Sequence, residues 1–245
     1  MTTAPAGAVI AIDGPSASGK SSTARAVAER LGFHHLDSGS LYRGVTLVAL
    51  RELRRRAEEE PGAGPVAGSP LELVSPEQVL RAAEERGLML VPDGHGFAAY
   101  LEGGPVDEAI RSAEVTRHVS AVSAAAVVRE WVNSRLREMV RAGRSVVVDG
   151  RDIGTVVFPD AQLKLFLTAS PEVRAGRRVG QRGESIDPAA LARETETLAA
   201  RDLADSTRAV APLRAAEDAV LLDSTGLSFD EQVDQIVALA HSRFA

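Results

Sequence analysis

The stretch Gly14-Pro15-Ser16-Ala17-Ser18-Gly19-Lys20-Ser21 constrains this chain more than any other, because it fits G-x-x-x-x-G-K-[ST], the pattern of a loop that wraps phosphates. Its flanks carry the weight that spelling alone cannot. Ala8-Val9-Ile10-Ala11-Ile12 precedes it as an unbroken apolar run, as expected of a strand buried on both faces in a parallel sheet. Ala24, Val27, Ala28 and Leu31 follow at helical spacing, and Gly32 stands where a helix stops. A strand, a glycine loop and a helix in that order point backbone N–H groups and the positive end of a helix dipole at an anion. Lys20 would then reach the β and γ phosphates, and a nucleotide-driven enzyme is the first expectation.

Lysine is scarce elsewhere: Lys20 and Lys164 are the only two among 28 basic residues. A chain that nearly avoids lysine has kept one in this loop. The same bias, with abundant alanine, looks like codon usage in a GC-rich genome, so arginine clusters count for less than they would in an ordinary composition. With 245 residues and 44% apolar content, the chain can bury one large α/β core with an inserted subdomain. A net charge of -6 argues against a dedicated nucleic-acid or anionic-membrane binder. With no cysteine, disulfides, thiolate metal sites and thiol nucleophiles are excluded, which suits a reducing cytoplasm. The N-terminal segment reads as neither a signal peptide nor a membrane span.

Phe33–Leu36, Ser145–Asp149, Leu163–Leu167 and Ala219–Leu222 read as further strands, mostly separated by helical patterns. That alternation predicts a parallel sheet flanked by helices, with Asp37-Ser38, Asp149-Gly150-Arg151-Asp152 and the phosphate loop along the rim of strand carboxyl ends. Residues 57–115 read as an insertion into a core formed by 1–56 and 116–245. Within it, the Gly/Pro-rich stretch 61–70 reads as a loop, and Leu88–Val91 with Phe97–Leu101 as a hairpin closed by a loose turn over Pro92–Gly96. A helix is expected from about Ala124 to Arg141.

Phosphoryl transfer needs positive charge around a transition state whose charge spreads over the phosphoryl oxygens. Arg174, Arg177 and Arg178 share a helical face, with Gly176, Gly180 and Gly183 as hinges, and read as an arginine lid at about 171–188 closing over ATP. Arg201, Asp205 and Arg208 fall at i, i+4, i+7 on a helix that must end near Pro212. As a surface ion pair that spacing contributes only about 0.2–0.5 kcal/mol, so holding a phosphate or sugar is the better reading. An alcohol acceptor benefits from a carboxylate base, for which Asp37 or Asp152 would serve. A monophosphate attacks through an oxygen that is already anionic and needs arginines against repulsion instead.

The residues resemble one family in particular, the bacterial cytidylate kinases, relatives of adenylate kinase that transfer phosphate from ATP to CMP and dCMP. The resemblance rests on Ile12-Asp13-Gly14-Pro15-Ser16, Leu36-Asp37-Ser38-Gly39 with Tyr42-Arg43, Asp149-Gly150-Arg151-Asp152-Ile153-Gly154-Thr155-Val156-Val157-Phe158-Pro159, and Arg208-Ala209-Val210-Ala211-Pro212-Leu213. It implies a cytoplasmic, monomeric enzyme of pyrimidine metabolism, using ATP and Mg²⁺, with 57–115 as the CMP-binding insert. Gly14, Pro15, Ser16, Ala17, Ser18, Gly19, Lys20, Ser21 and Ser22 would hold ATP, with Arg174, Arg177 and Arg178. Lys20, Arg151 and Arg177 are the implied catalytic residues. Arg43, Arg151 and Arg208 would hold the acceptor and transferred phosphates, and Ser38, Arg201 and Asp205 would line the CMP site. Ser120, Arg129 and Asp152 would read cytosine, a carboxylate accepting from the exocyclic amine that uracil lacks. Members of the family often carry glycine directly after the loop lysine, so Ser21 and Ser22 both stand as candidates for the magnesium contact, with Ser21 first. Three rivals are a kinase of a small alcohol such as shikimate or a nucleoside, a GTPase-type switch, and a transferase acting on tRNA. The second lacks an Asn-Lys-x-Asp sequence, and acidic balance disfavours the third.

Overall fold

The computed structural model describes residues 7–59, 69–141, 143–183 and 185–244. The chain divides into two compact units, one formed by residues up to Leu36 and from Arg137 onward, the other by Asp37–Leu136. The second unit therefore takes in more than the 57–115 stretch. Residues 61–68 of the Gly/Pro-rich stretch lie outside the described residues.

The first unit is built on a five-stranded sheet of β1 (Val9–Asp13), β2 (His34–Asp37), β6 (Val146–Gly150), β7 (Leu163–Thr168) and β8 (Val220–Asp223), in the order β2-β6-β1-β7-β8. The β1–β6, β1–β7 and β7–β8 pairs are parallel. All five residues of β1 and of β6 are buried, which is why the sequence shows apolar runs there and not alternation. On one face, Ile10, Ile12, Val147 and Leu165 pack with Ala24, Val27 and Ala28 of α1 (Lys20–Leu31) and with Ile236 and Ala240 of α8 (Phe229–Phe244). α1 ends at Gly32 in a left-handed cap, with Phe33 N–H donating to Ala28 O at 2.8 Å. Two more helices follow β7. α6 (Pro171–Gln181) is capped by the Ser170 hydroxyl and α7 (Pro188–Thr207) by the Asp187 carboxylate, each with proline at its start.

In the second unit, α2 (Ser38–Glu59), α3 (Pro76–Glu85), α4 (Ala113–Ala124) and the first part of α5 (Ala126–Arg141) accompany a three-stranded sheet of β3 (Met89–Asp93), β4 (Gly96–Leu101) and β5 (Gly104–Pro105). Its hairpin turn is tighter than expected, because Asp93 pairs with Gly96 and leaves only Gly94 and His95 in the loop. Pro92 belongs to the strand. β3 lies at the sheet edge, where a residue without an N–H breaks no ladder. The helix expected from about Ala124 to Arg141 is α5, which begins at Ala126 after an extended Ala125 that ends α4.

The sheet dictates one loop residue outright. Gly14 follows β1 with φ +149°, and a Cβ there would come within 2.0 Å of the Leu167 carbonyl oxygen in β7. No side chain fits between the loop and the neighbouring strand. Gly14→Ala should therefore lower the unfolding free energy by about 3 kcal/mol through strain and overpacking, and should weaken nucleotide binding. Urea denaturation with an ADP titration checks this; wild-type stability and binding in the variant would show that the loop's entry tolerates a side chain.

Candidate active site

The phosphate loop runs from Gly14 to the start of α1. Gly19, at φ +93°, precedes the helix and has no side chain to cap it, so the first amides of α1 have no side-chain acceptor at the cap. The loop's carbonyl groups accept from side chains of α1 and α6. Lys20 Nζ donates to Pro15 O at 2.6 Å, Arg174 to Ser16 O at 3.0 Å and Arg177 to Ser18 O at 3.0 Å. The Gly19 carbonyl accepts from the Ser22 and Thr23 hydroxyls at 2.8 and 2.9 Å. The Ser16 N–H is given to Asp202 at 2.9 Å, while the first amides of α1 have no side-chain cap. Ala17, at φ +58°, helps turn the chain.

Lys20 is 5% exposed. Burial, and then the Arg151 charge, push its ammonium well below the usual lysine range, against the pull of Asp149, Asp13 and Asp202. A bound polyphosphate would add negative charge beside it and favour the ammonium form. Beneath the loop, Asp149 at the end of β6 accepts from the Ser21 hydroxyl at 2.6 Å and lies 2.7 Å from His35 Nε2. Burial raises its carboxyl, but His35, Ser21 and Lys20 outweigh burial and hold it below the ordinary carboxylate value. Ser22 turns back on its own helix, so Ser21 is the loop hydroxyl that meets a carboxylate.

On the other side of the loop, Arg151 donates from Nε to Asp205 at 2.9 Å and from its terminal nitrogen to the Ser16 hydroxyl at 2.9 Å. Arg208 lies 3.5 Å from Asp152 and 3.7 Å from Asp205. The structure thus brings Ser16, Arg151, Asp152, Asp205 and Arg208 into one network, with Arg201 one turn before Asp205 on α7. Arg208 is not on the helix as expected. α7 stops at Thr207, and Arg208 caps it in an extended conformation, its Nε held by Ala211 O at 2.6 Å.

The three arginines of α6 do not behave alike. Arg174 is 9% exposed and reaches the Ala169 and Ser16 carbonyls and the Asp202 carboxylate. Arg177 bridges Ser18 O to the Ser224 hydroxyl and carbonyl. Arg178 lies near Gln181 of its own helix, 3.4 Å away.

The remaining candidates belong to the second unit. Ser38 opens α2 and is buried, and Arg43 on the same helix donates to Thr116 Oγ1 at 2.9 Å and Ile110 O at 3.3 Å. Arg129 of α5 is 3% exposed, donates to Ser123 O at 3.1 Å and lies over the Tyr42 ring, 5.3 Å from its centroid. Ser120 of α4 is half-buried, its carbonyl accepting from the Ser123 hydroxyl at 3.1 Å. Asp37 accepts from Gly39 N–H and the Ser40 hydroxyl and pairs with Arg111.

Asp13, His35, Asp149, Asp202 and Ser224 were not among the expected site residues. Asp149 and Asp13 sit inside the motif segments and were visible as strand ends, whereas Asp202 lies off the Arg201–Asp205 face and nothing in its spacing marks it. Asp13 accepts from Ile153 and Gly154 N–H, both at 2.8 Å, and so fixes the turn after β6 against the start of the loop. Burial raises its carboxyl from 3.8 to about 6 despite those two bonds, Asp152 adding to the rise and Lys20 opposing it.

An acid raised in the folded state keeps a proton there that the unfolded chain has lost. Its contribution to stability is therefore complete below the unfolded value and is lost as pH rises through about 6. Denaturant unfolding of wild type and Asp13→Asn between pH 4 and 7.5 should show the variant gaining on wild type by roughly 2 kcal/mol over that range. A constant difference across the range would contradict a raised Asp13.

The sequence pattern of the family described as Cytidylate kinase matches residues 10–242. The chain is 42% identical to a cytidylate kinase of Nocardia farcinica, over 93% of this chain and 91% of the relative. It is 40% identical to one of Rhodococcus jostii, over 96% and 95%. Among solved structures, a Thermus thermophilus protein aligns over 97% of this chain and 98% of its own at 19% identity, with a TM-score of 0.48. With the family match running from the first strand of the sheet to the last helix, the chain belongs to the cytidylate kinase family.

Proposed function

We propose that the protein transfers the γ-phosphoryl group of ATP to CMP or dCMP, giving ADP and CDP or dCDP. The observation that carries this reading is the network of Arg151, Asp152, Asp205 and Arg208 fastened to the phosphate loop through the Ser16 hydroxyl. Such a network answers the chief difficulty of a monophosphate acceptor, which is repulsion between two anions and not removal of a proton.

In this reading the loop amides, Lys20, Arg177 and Arg178 hold the donor phosphates. Lys20, Arg151 and Arg177 stabilise charge on the group in transit, and transfer is direct and in line with no covalent enzyme intermediate. Arg43, Arg151 and Arg208 hold the acceptor and transferred phosphates, and Ser38, Arg201 and Asp205 line the CMP site. Ser120, Arg129 and Asp152 read cytosine. Asp152 suits that role because a buried carboxylate accepts from the exocyclic amine and opposes the carbonyl that replaces it in uracil. Residues 57–115 form the CMP-binding insert and 171–188 the lid, which close to exclude water.

Ser21 and Asp149 fit a magnesium ion: a hydroxyl and a carboxylate 2.6 Å apart at the loop are hard oxygen donors. When bound, Mg²⁺ would neutralise charge across the ATP phosphates. Among the described residues no group of three or more His, Cys, Asp or Glu side chains could hold a metal ion. Also among these residues, no helix is long and apolar enough to cross a membrane. A cytoplasmic monomer that uses small nucleotides completes the reading.

ADP formation from ATP and Mg²⁺, compared for CMP, dCMP, UMP, AMP, shikimate and no acceptor, tests the substrate. CMP and dCMP should far exceed the rest, whereas turnover with shikimate alone, or slow hydrolysis without acceptor, would overturn the assignment. Asp152→Ala should cut kcat/KM for CMP by about 100-fold or more, the order expected when a buried charged partner is lost, and leave ATP affinity within a few-fold. Equal loss on both substrates would remove Asp152 from the cytosine site.

A further inference from the structure

We propose that Asp202 is a positioning residue for the phosphate loop, fastening it at Ser16 to α7, the helix that also carries Arg201 and Asp205. Ser16 has each of its polar groups engaged by a residue far away in the chain. Its N–H donates to Asp202 Oδ1 at 2.9 Å, its carbonyl accepts from Arg174 at 3.0 Å, and its hydroxyl accepts from Arg151 at 2.9 Å. The other oxygen of Asp202 accepts from the same Arg174 nitrogen that binds Ser16 O. Loop, Asp202 and Arg174 therefore form a closed ring, and the two peptide groups flanking Ser16 are both gripped.

The ring is better explained by orientation than by stability. The Arg174 and Asp202 side chains are 11% and 18% exposed, and an ion pair withdrawn from water loses in desolvation much of what it gains in attraction. A pair serving only to join α6 to α7 would need no loop contact, yet both members bind the loop backbone. Holding both peptide groups at Ser16 sets the direction of the amides that follow it, at no cost when the anion arrives. Because α7 supplies Asp202 as well as Arg201 and Asp205, one helix sets the donor loop and acceptor-side residues together. Arg174 belongs to this fixture, as a strut.

The turnover part of the test rests on the kinase reading; the pyrophosphate part does not. Asp202→Ala and Asp202→Asn are compared with wild type for inorganic pyrophosphate affinity by calorimetry, KM for ATP and for CMP, and melting temperature. Asp202→Ala should weaken pyrophosphate binding and raise KM for ATP by about 10- to 100-fold, the range for losing a charge-assisted hydrogen bond, with a smaller change in KM for CMP. Asp202→Asn keeps an acceptor for the Ser16 N–H without the charge, and should fall between the two. Unchanged pyrophosphate affinity in Asp202→Ala overturns the proposal. So do proportional losses in ATP, CMP and melting temperature, which mark a general structural role. If Asp202→Ala does not fold, Asp202→Asn decides: weaker pyrophosphate binding at wild-type melting temperature supports the proposal, and wild-type binding overturns it. Wild-type protein that binds pyrophosphate but leaves CMP untouched would sink the kinase reading and leave Asp202 to be judged on binding alone.

Discussion

The carbonyl groups of the Gly14–Ser21 loop need hydrogen-bond donors, and meeting that need ties two helices of the first unit to the loop. A carbonyl left without a donor away from water is costly, and here side chains supply the donors. Lys20 takes Pro15 O, Arg174 takes Ser16 O, Arg177 takes Ser18 O, and the Ser22 and Thr23 hydroxyls take Gly19 O. Those donors come from α1 and α6, which explains why a helix remote in sequence packs against the loop. Gly14 is forced by the same arrangement, since the loop leaves β1 in contact with the backbone of β7.

Electrostatics follow from that packing. A loop ringed with cations would repel itself, and the structure threads carboxylates between the charges. Asp13, Asp149 and Asp202 all draw on Lys20, Asp205 receives Arg151, and Asp152 meets Arg208. The result is an array in which buried charges lie beside opposite ones, as desolvation demands.

The sequence made the sheet legible because strands buried on both faces read as apolar runs, and β1, β6 and β7 all appear within a residue or two of their expected bounds. It also showed that Arg174, Arg177 and Arg178 share a helical face. Periodicity says which side chains point together, not what they meet, so nothing in it distinguished Arg174 bound to the loop backbone from Arg178 beside Gln181. Asp202 escaped for the same reason, lying off the Arg201–Asp205 stripe. Arg208 was placed on a helix that its extended conformation ends, because Pro212 bounds a helix without fixing its last residue. Proline in sequence suggests a loop, yet Pro92 pairs with Phe97, because an edge strand can hold a proline.

The central claim is direct transfer between two bound nucleotides, and ³¹P NMR of a mixture of the protein, ATP, CMP and Mg²⁺ follows every phosphorus at once. The account predicts that CDP and ADP resonances grow together in equal amounts while inorganic phosphate stays at the level of a protein-free control. Growth of inorganic phosphate with CMP unchanged, or an unaltered spectrum, would contradict it.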